Sequence, residues 1–85
     1  MGKGSVFHYV YILESTTALG RHYVGLTQDL KERLAQHNAG TVSHTRKHKP
    51  RVIQIAVAFR DRERAAMFER YLKSGSGRAF SARHF

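Results

Sequence analysis

The sequence predicts a small α+β domain: a three-stranded antiparallel sheet flanked by helices, in the order β-β-α-β-α. Three observations predict it. Residues 6–13 and 22–26 are rich in β-branched and aromatic side chains and lie a short loop apart, as the two arms of a hairpin do. Residues 52–59 form a near-continuous apolar run of strand length. Residues 28–37 and 62–73 carry apolar side chains at helical spacing. Strands and helices that do not alternate as repeated βαβ units favour helices packed on an antiparallel sheet. At 85 residues the chain has room for one modest core, so residues 1–85 are expected to form a single domain with an ordered part from about residue 6.

The first strand, Val-Phe-His-Tyr-Val-Tyr-Ile-Leu, alternates so that Phe7, Tyr9, Tyr11 and Leu13 share one face and His8, Val10 and Ile12 the other. Residues 14–21 end in Gly20-Arg21 and are expected to form the hairpin loop. The second strand, residues 22–26, then places Tyr23 within reach of Tyr11 across the sheet. Gly25 in that strand allows close approach of another group to the backbone.

Thr27 and Asp29 supply an N-cap and a first-turn carboxylate for a helix over 28–37. Leu30 and Leu34 repeat at i, i+4 as an apolar stripe, and Arg33 and His37 repeat at the same spacing on a neighbouring face, so both heads can serve one site. Asn38-Ala39-Gly40 is the stop signal. Residues 41–51 are polar and basic, without strand or helix periodicity, and are expected to be a surface loop. The run at 52–59 has the composition of a strand buried on both faces, which predicts the central place in the sheet. Asp61 caps a helix over 62–73, with Ala65, Met67, Phe68, Tyr71 and Leu72 supplying its apolar side and Glu69 lying beside that side. Gly75-Ser76-Gly77 is expected to end it, leaving residues 78–85 as a tail that docks through Phe80 and Phe85.

Charge limits the function. The chain carries 15 Lys+Arg against 6 Asp+Glu, for a net +9, and has no cysteine. A balance this basic points to a polyanion, with nucleic acid ahead of an anionic membrane surface. Disulfides and thiolate metal sites are excluded. No apolar run approaches the roughly 20 residues that cross a bilayer, and Met1-Gly-Lys-Gly-Ser5 lacks the apolar core of a leader. The expectation is a cytoplasmic protein without membrane contact, monomeric or weakly dimeric.

On these residues the chain resembles the GIY-YIG nuclease domain, most closely the small stand-alone bacterial members related to the nuclease domain of the repair excinuclease. Tyr9-Val10-Tyr11 stands at the first motif and Tyr23-Val24-Gly25 at the second. Arg33 and His37 fall at the family's helix arginine and histidine, and Glu69, within Phe68-Glu69-Arg70-Tyr71, at its metal-holding carboxylate. The resemblance covers residue 7 to the C-terminus. Tyr9 replaces the first glycine, both motif isoleucines are valine, and no Asn follows Asn38 to match a late asparagine of some members; Lys73, Ser74 and Ser76 are the candidates for its phosphate contact.

The resemblance implies a nuclease that hydrolyses DNA phosphodiester bonds with Mg²⁺ or Mn²⁺, selecting on DNA structure in repair or recombination. It implies catalytic Tyr11, Tyr23, Arg33, His37 and Glu69, with Glu69 as the metal ligand. One carboxylate suffices for Mg²⁺ when waters and substrate oxygens complete its shell. Arg33 offers an always-charged fork for phosphate oxygens. Either tyrosine can handle the attacking water, and His37 can take a phenolic proton; which tyrosine is the base stays open. Arg46, Lys47, Lys49, Lys73, Arg78 and Arg83 are expected to neutralise phosphates without reading bases, on DNA in preference to RNA. The alternatives are a non-catalytic DNA- or RNA-binding module on the same fold and a basic interaction protein. His44 and His48, with neither cysteine nor carboxylate nearby, do not form a zinc site.

Overall fold

A computed structural model describes residues 6–85; the N-terminal segment that lacks the apolar core of a leader lies outside them. The chain runs β1 (His8–Ser15), β2 (His22–Thr27), α1 (Leu30–Asn38), a 3-10 turn (Ser43–Thr45), β3 (Arg51–Phe59), α2 (Arg62–Lys73) and α3 (Gly75–His84). The sheet order is β2-β1-β3 with both pairings antiparallel. This is the expected α+β architecture, with one helix more than the sequence predicts.

β1 holds the centre, and the apolar β3 is an edge strand, which corrects the sequence expectation. Its covered and exposed positions alternate without a break, and it reads as a continuous apolar run because the exposed Val52, Ala56 and Ala58 are apolar as well. Its register against β1 shifts between Ile12 and Leu13, which pair with Ile55 and Ile53. The extra residue exchanges the face that is covered. Before it, Arg51 and Ile53 lie opposite Ser15 and Leu13, on the face of Tyr11; after it, Ile55 and Phe59 join the core against α2. That core is Val10, Ile12, Ala65 and Leu72, with Val24, Leu26, Phe68 and Phe80 around it. The other face carries Tyr11, Leu13 and Ser15, and its buried partner from α1 is His37.

Asp29, rather than Thr27, caps α1: its side chain accepts from the Glu32 backbone N–H at 3.0 Å, while Thr27 Oγ1 accepts from Asp29 N–H at 3.1 Å. Thr27 is taken up as the last residue of β2, so the cap moves to the next side chain able to accept. Asp61 caps α2 as expected. The tail after Gly75 is helical. Ser74 Oγ accepts from Gly77 N–H at 3.1 Å and starts α3 one residue after α2 ends. A Cβ at Gly77 would strike the Tyr71 carbonyl, so this glycine admits the tight turn between two helices rather than ending order.

Candidate active site

The central strand brings Tyr11 over Gly25, its direct cross-strand partner. A Cβ on Gly25 would collide with the Tyr11 hydroxyl and ring, so the ring lies flat across β2 only because that residue is glycine. Tyr23, diagonal to Tyr11 on the same face, has its ring centroid 6.4 Å away. From α1, His37 is fully buried beneath the two tyrosines, 4.8 Å from the Tyr23 ring centroid. Its Nε2 is 2.9 Å from the Tyr11 hydroxyl, and its Nδ1 is 2.7 Å from Oγ1 of Thr45. Thr45 belongs to the 3-10 turn inside the segment expected to be only a surface loop, and it is fully buried.

Arg33 stands one helical turn before His37, beside both tyrosines, and its Nη1 donates to Gln36 Oε1 at 2.8 Å. It lines an open cleft of about 330 Å³ together with Leu26, Thr27, Asp29, Glu32 and Gln36. Glu69 comes from α2, on the far face of the sheet, and its negative charge is the smallest of the influences on the Tyr11 pKa. Its carboxylate is partly exposed and accepts from Lys73 Nζ at 3.0 Å.

These surroundings shift the titrating groups. Burial raises the Tyr11 pKa, the charges of Tyr23 and Glu69 push the same way, and the neighbouring Arg33 opposes them. Burial lowers the His37 pKa to about 4, with the Arg33 and Arg51 cations adding to it. His37 is therefore a neutral imidazole at physiological pH. Arg51, which the sequence did not single out, is 4% exposed, and its Nε and Nη1 find no hydrogen-bond partner among the described residues. Asn38 holds its backbone from both sides, accepting from Arg51 N–H at 2.6 Å and donating to its carbonyl at 2.9 Å.

The profile of the GIY-YIG catalytic domain matches residues 7–81. The chain belongs to the GIY-YIG family. Its GIY-YIG relatives include a UPF0213 protein of Streptococcus pneumoniae serotype 4, 38% identical over 76% of this chain and 65% of the relative. Others are UPF0213 proteins of Halobacterium salinarum, 33% identical over 78% of this chain and 84% of the relative, and of Cupriavidus pinatubonensis, 40% identical over 72% and 67%. Against the pneumococcal protein the match thus spans just under two thirds of the relative's length. No solved structure matches the chain. Membership of this GIY-YIG family gives the chain a nuclease-type domain.

The basic residues expected at phosphates fall into two groups. Arg46, Lys47 and Lys49 are on the loop that carries Thr45 under His37, with Arg46 Nε donating to Gly40 O at 3.1 Å. Lys73 and Arg78 line a cleft of about 800 Å³ on the α2–α3 side, and Arg83 is exposed in the last turn of α3. Among the described residues, no helix is long and apolar enough to cross a membrane.

Among the described residues, no three His, Cys, Asp or Glu side chains cluster as a metal cage. A zinc or calcium site does not fit this donor set. A single hard, partly exposed carboxylate fits Mg²⁺ or Mn²⁺, which keep waters and take phosphate oxygens as further ligands. Glu69 is the residue that would hold it, on exchange of the Lys73 contact.

Proposed function

We propose that this protein is a cytoplasmic, divalent-metal-dependent endonuclease that hydrolyses DNA phosphodiester bonds and selects its substrate by structure, in repair or recombination. The observation that carries the reading is that Tyr11, Tyr23 and His37 meet on one face of the sheet with the Arg33 cation of α1 beside both tyrosines. Phosphodiester hydrolysis needs one site that holds a phosphate, neutralises its developing charge and places a water; a cation and two phenols at one point suit the first part of that task, and Glu69 of α2 would bring the metal. Arg33 would clamp the phosphate from its open cleft. Bound at Glu69, Mg²⁺ or Mn²⁺ would supply charge stabilisation and a more acidic water. Tyr23, less buried than Tyr11, would meet the water, while Tyr11 passes its hydrogen bond inward to His37. Arg46, Lys47, Lys49, Lys73, Arg78 and Arg83 would hold the flanking backbone, with one copy of the chain sufficient for the reaction.

A non-catalytic nucleic-acid-binding module is the second reading, favoured by one contact: Glu69 already has a cation in Lys73. Cleavage rate and dissociation constant, measured at fixed salt on branched, duplex and single-stranded substrates with Mg²⁺ or Mn²⁺, separate the two. For a nuclease, Glu69→Gln and Arg33→Ala each lose about two orders of magnitude or more in cleavage, the scale of one electrostatic stabiliser, while both still bind. Binding without cleavage on every substrate and metal supports the module instead.

A further inference from the structure

We propose that Thr45 is a positioning residue that fixes the proton of His37 on Nδ1, so that Nε2 is left as an acceptor and Tyr11 becomes its donor. Its catalytic consequence rests on the nuclease reading; the hydrogen-bond assignment stands on geometry alone.

A neutral imidazole has one N–H, which leaves two arrangements of the buried chain Tyr11–His37–Thr45. In the first, Nδ1–H donates to Thr45 Oγ1 at 2.7 Å, and the Thr45 hydroxyl donates to the Val42 carbonyl at 3.4 Å. Tyr11 O–H then donates to Nε2 at 2.9 Å, and every donor in the chain has an acceptor. In the second arrangement Nε2–H donates to the Tyr11 oxygen and Thr45 O–H donates to Nδ1. The Tyr11 proton then needs another acceptor. Among the described residues the Tyr11 hydroxyl has no hydrogen-bond acceptor besides His37, and the neighbouring Arg33 can only donate. A buried hydroxyl proton left unpaired is penalised by about 1–3 kcal/mol, more than the weak Thr45–Val42 bond can offset. An imidazolium fails on the same ground, because both nitrogens would donate and Tyr11 would again lack an acceptor. The first arrangement wins.

Thr45 is therefore the residue that gives the Tyr11 proton a single exit, toward Nε2. It does so without facing the substrate, from within the loop that carries Arg46, Lys47 and Lys49.

The test uses the full chain with ¹⁵N-labelled histidine, at about pH 7, where His37 is neutral. Long-range ¹H–¹⁵N correlation distinguishes a ring nitrogen that carries a proton from one that does not, and the spectrum of His37→Gln identifies the His37 signals. Nδ1 is expected protonated and Nε2 bare in wild type and in Thr45→Ser. Thr45→Val keeps the shape and removes the acceptor, so Nδ1–H loses its partner, the preference for Nδ1 narrows and Nε2 gains a share of the proton; cleavage falls on the order of tenfold to hundredfold, with Ser restoring it. A protonated Nε2 in wild type overturns the proposal, as does a Thr45→Val spectrum with the wild-type tautomer balance. Should Thr45→Val not fold, the wild-type and Thr45→Ser spectra decide. The expected tautomers in a chain that cleaves nothing would uphold the role of Thr45 and reject the nuclease reading.

Discussion

His37 makes the fold sensitive to pH in a defined direction. An unfolded histidine titrates near 6.5, whereas burial with two nearby arginines holds His37 near 4. Between those values the unfolded chain binds a proton that the folded chain refuses. Stability from the neutral imidazole is thus complete above about pH 6.5 and declines as pH falls toward 4, by up to about 3 kcal/mol. Urea unfolding of wild type and His37→Gln across this range measures it: the stability gap between them should shift against wild type as pH drops, and a constant gap would count against a buried neutral His37. Arg51 is the second residue with a sharp expectation. A desolvated guanidinium with two unpartnered nitrogens and no paired carboxylate opposes folding. Arg51→Met, apolar and similarly long, is expected to stabilise the chain by about 1 kcal/mol or more. The same change removes one of the charges that depress His37, so the His37 pKa should rise; a less stable variant would show that Arg51 has a partner after all.

Among the elements, β2 carries the tightest constraint, because Gly25 lies under the Tyr11 ring. Gly25→Ala must push the ring off its seat, costing about 1–3 kcal/mol as overpacking does. The Tyr11–His37 bond should go with it, seen as a changed proton pattern at His37; native stability with that bond intact would mean the ring has room to spare. The same elements explain what the sequence made legible. Period-two alternation and helical spacing are local signals, and they located both hairpin strands, α1 and α2 within a few residues. β3 misled because its exposed positions Val52, Ala56 and Ala58 are themselves apolar, which hides the alternation of an edge strand covered at every second residue. α3 was hidden by Gly75 and Gly77, which act as breakers by propensity, although Gly77 here serves a close helix–helix turn and Gly75 is simply taken into the helix. The placement of Arg33 beside Tyr11 and Tyr23 follows from motif spacing. Thr45 and Arg51 were illegible because each matters through a partner outside its own element, Thr45 from a loop with no period and Arg51 from the first position of β3.

At the scale of the whole molecule, the net charge of +9 is distributed over a flat body with extents of 42 × 31 × 19 Å. A turn of duplex DNA is about 34 Å long, so the long dimension is comparable to a single turn. The basic groups sit on two sides, Arg46, Lys47 and Lys49 on the Thr45 loop and Lys73 and Arg78 at the α2–α3 cleft. The loop set is the better candidate for the primary contact, because Thr45 in the same loop touches His37, whereas Lys73 is engaged with Glu69. Each phosphate neutralised on duplex DNA contributes about 0.9 to the slope of log affinity against log salt. Replacing Arg46, Lys47 and Lys49 together by Gln should therefore flatten that slope by about 2–3 and weaken binding alike on unrelated sequences. Replacing Lys73 and Arg78 should change it by less than their number implies, since Lys73 already has an internal partner. Fluorescence anisotropy of a labelled duplex between roughly 50 and 200 mM salt gives both slopes. An unchanged slope in the loop variant, with a flattened one in the Lys73/Arg78 variant, would move the nucleic acid to the α2–α3 side and leave Tyr11 facing away from it.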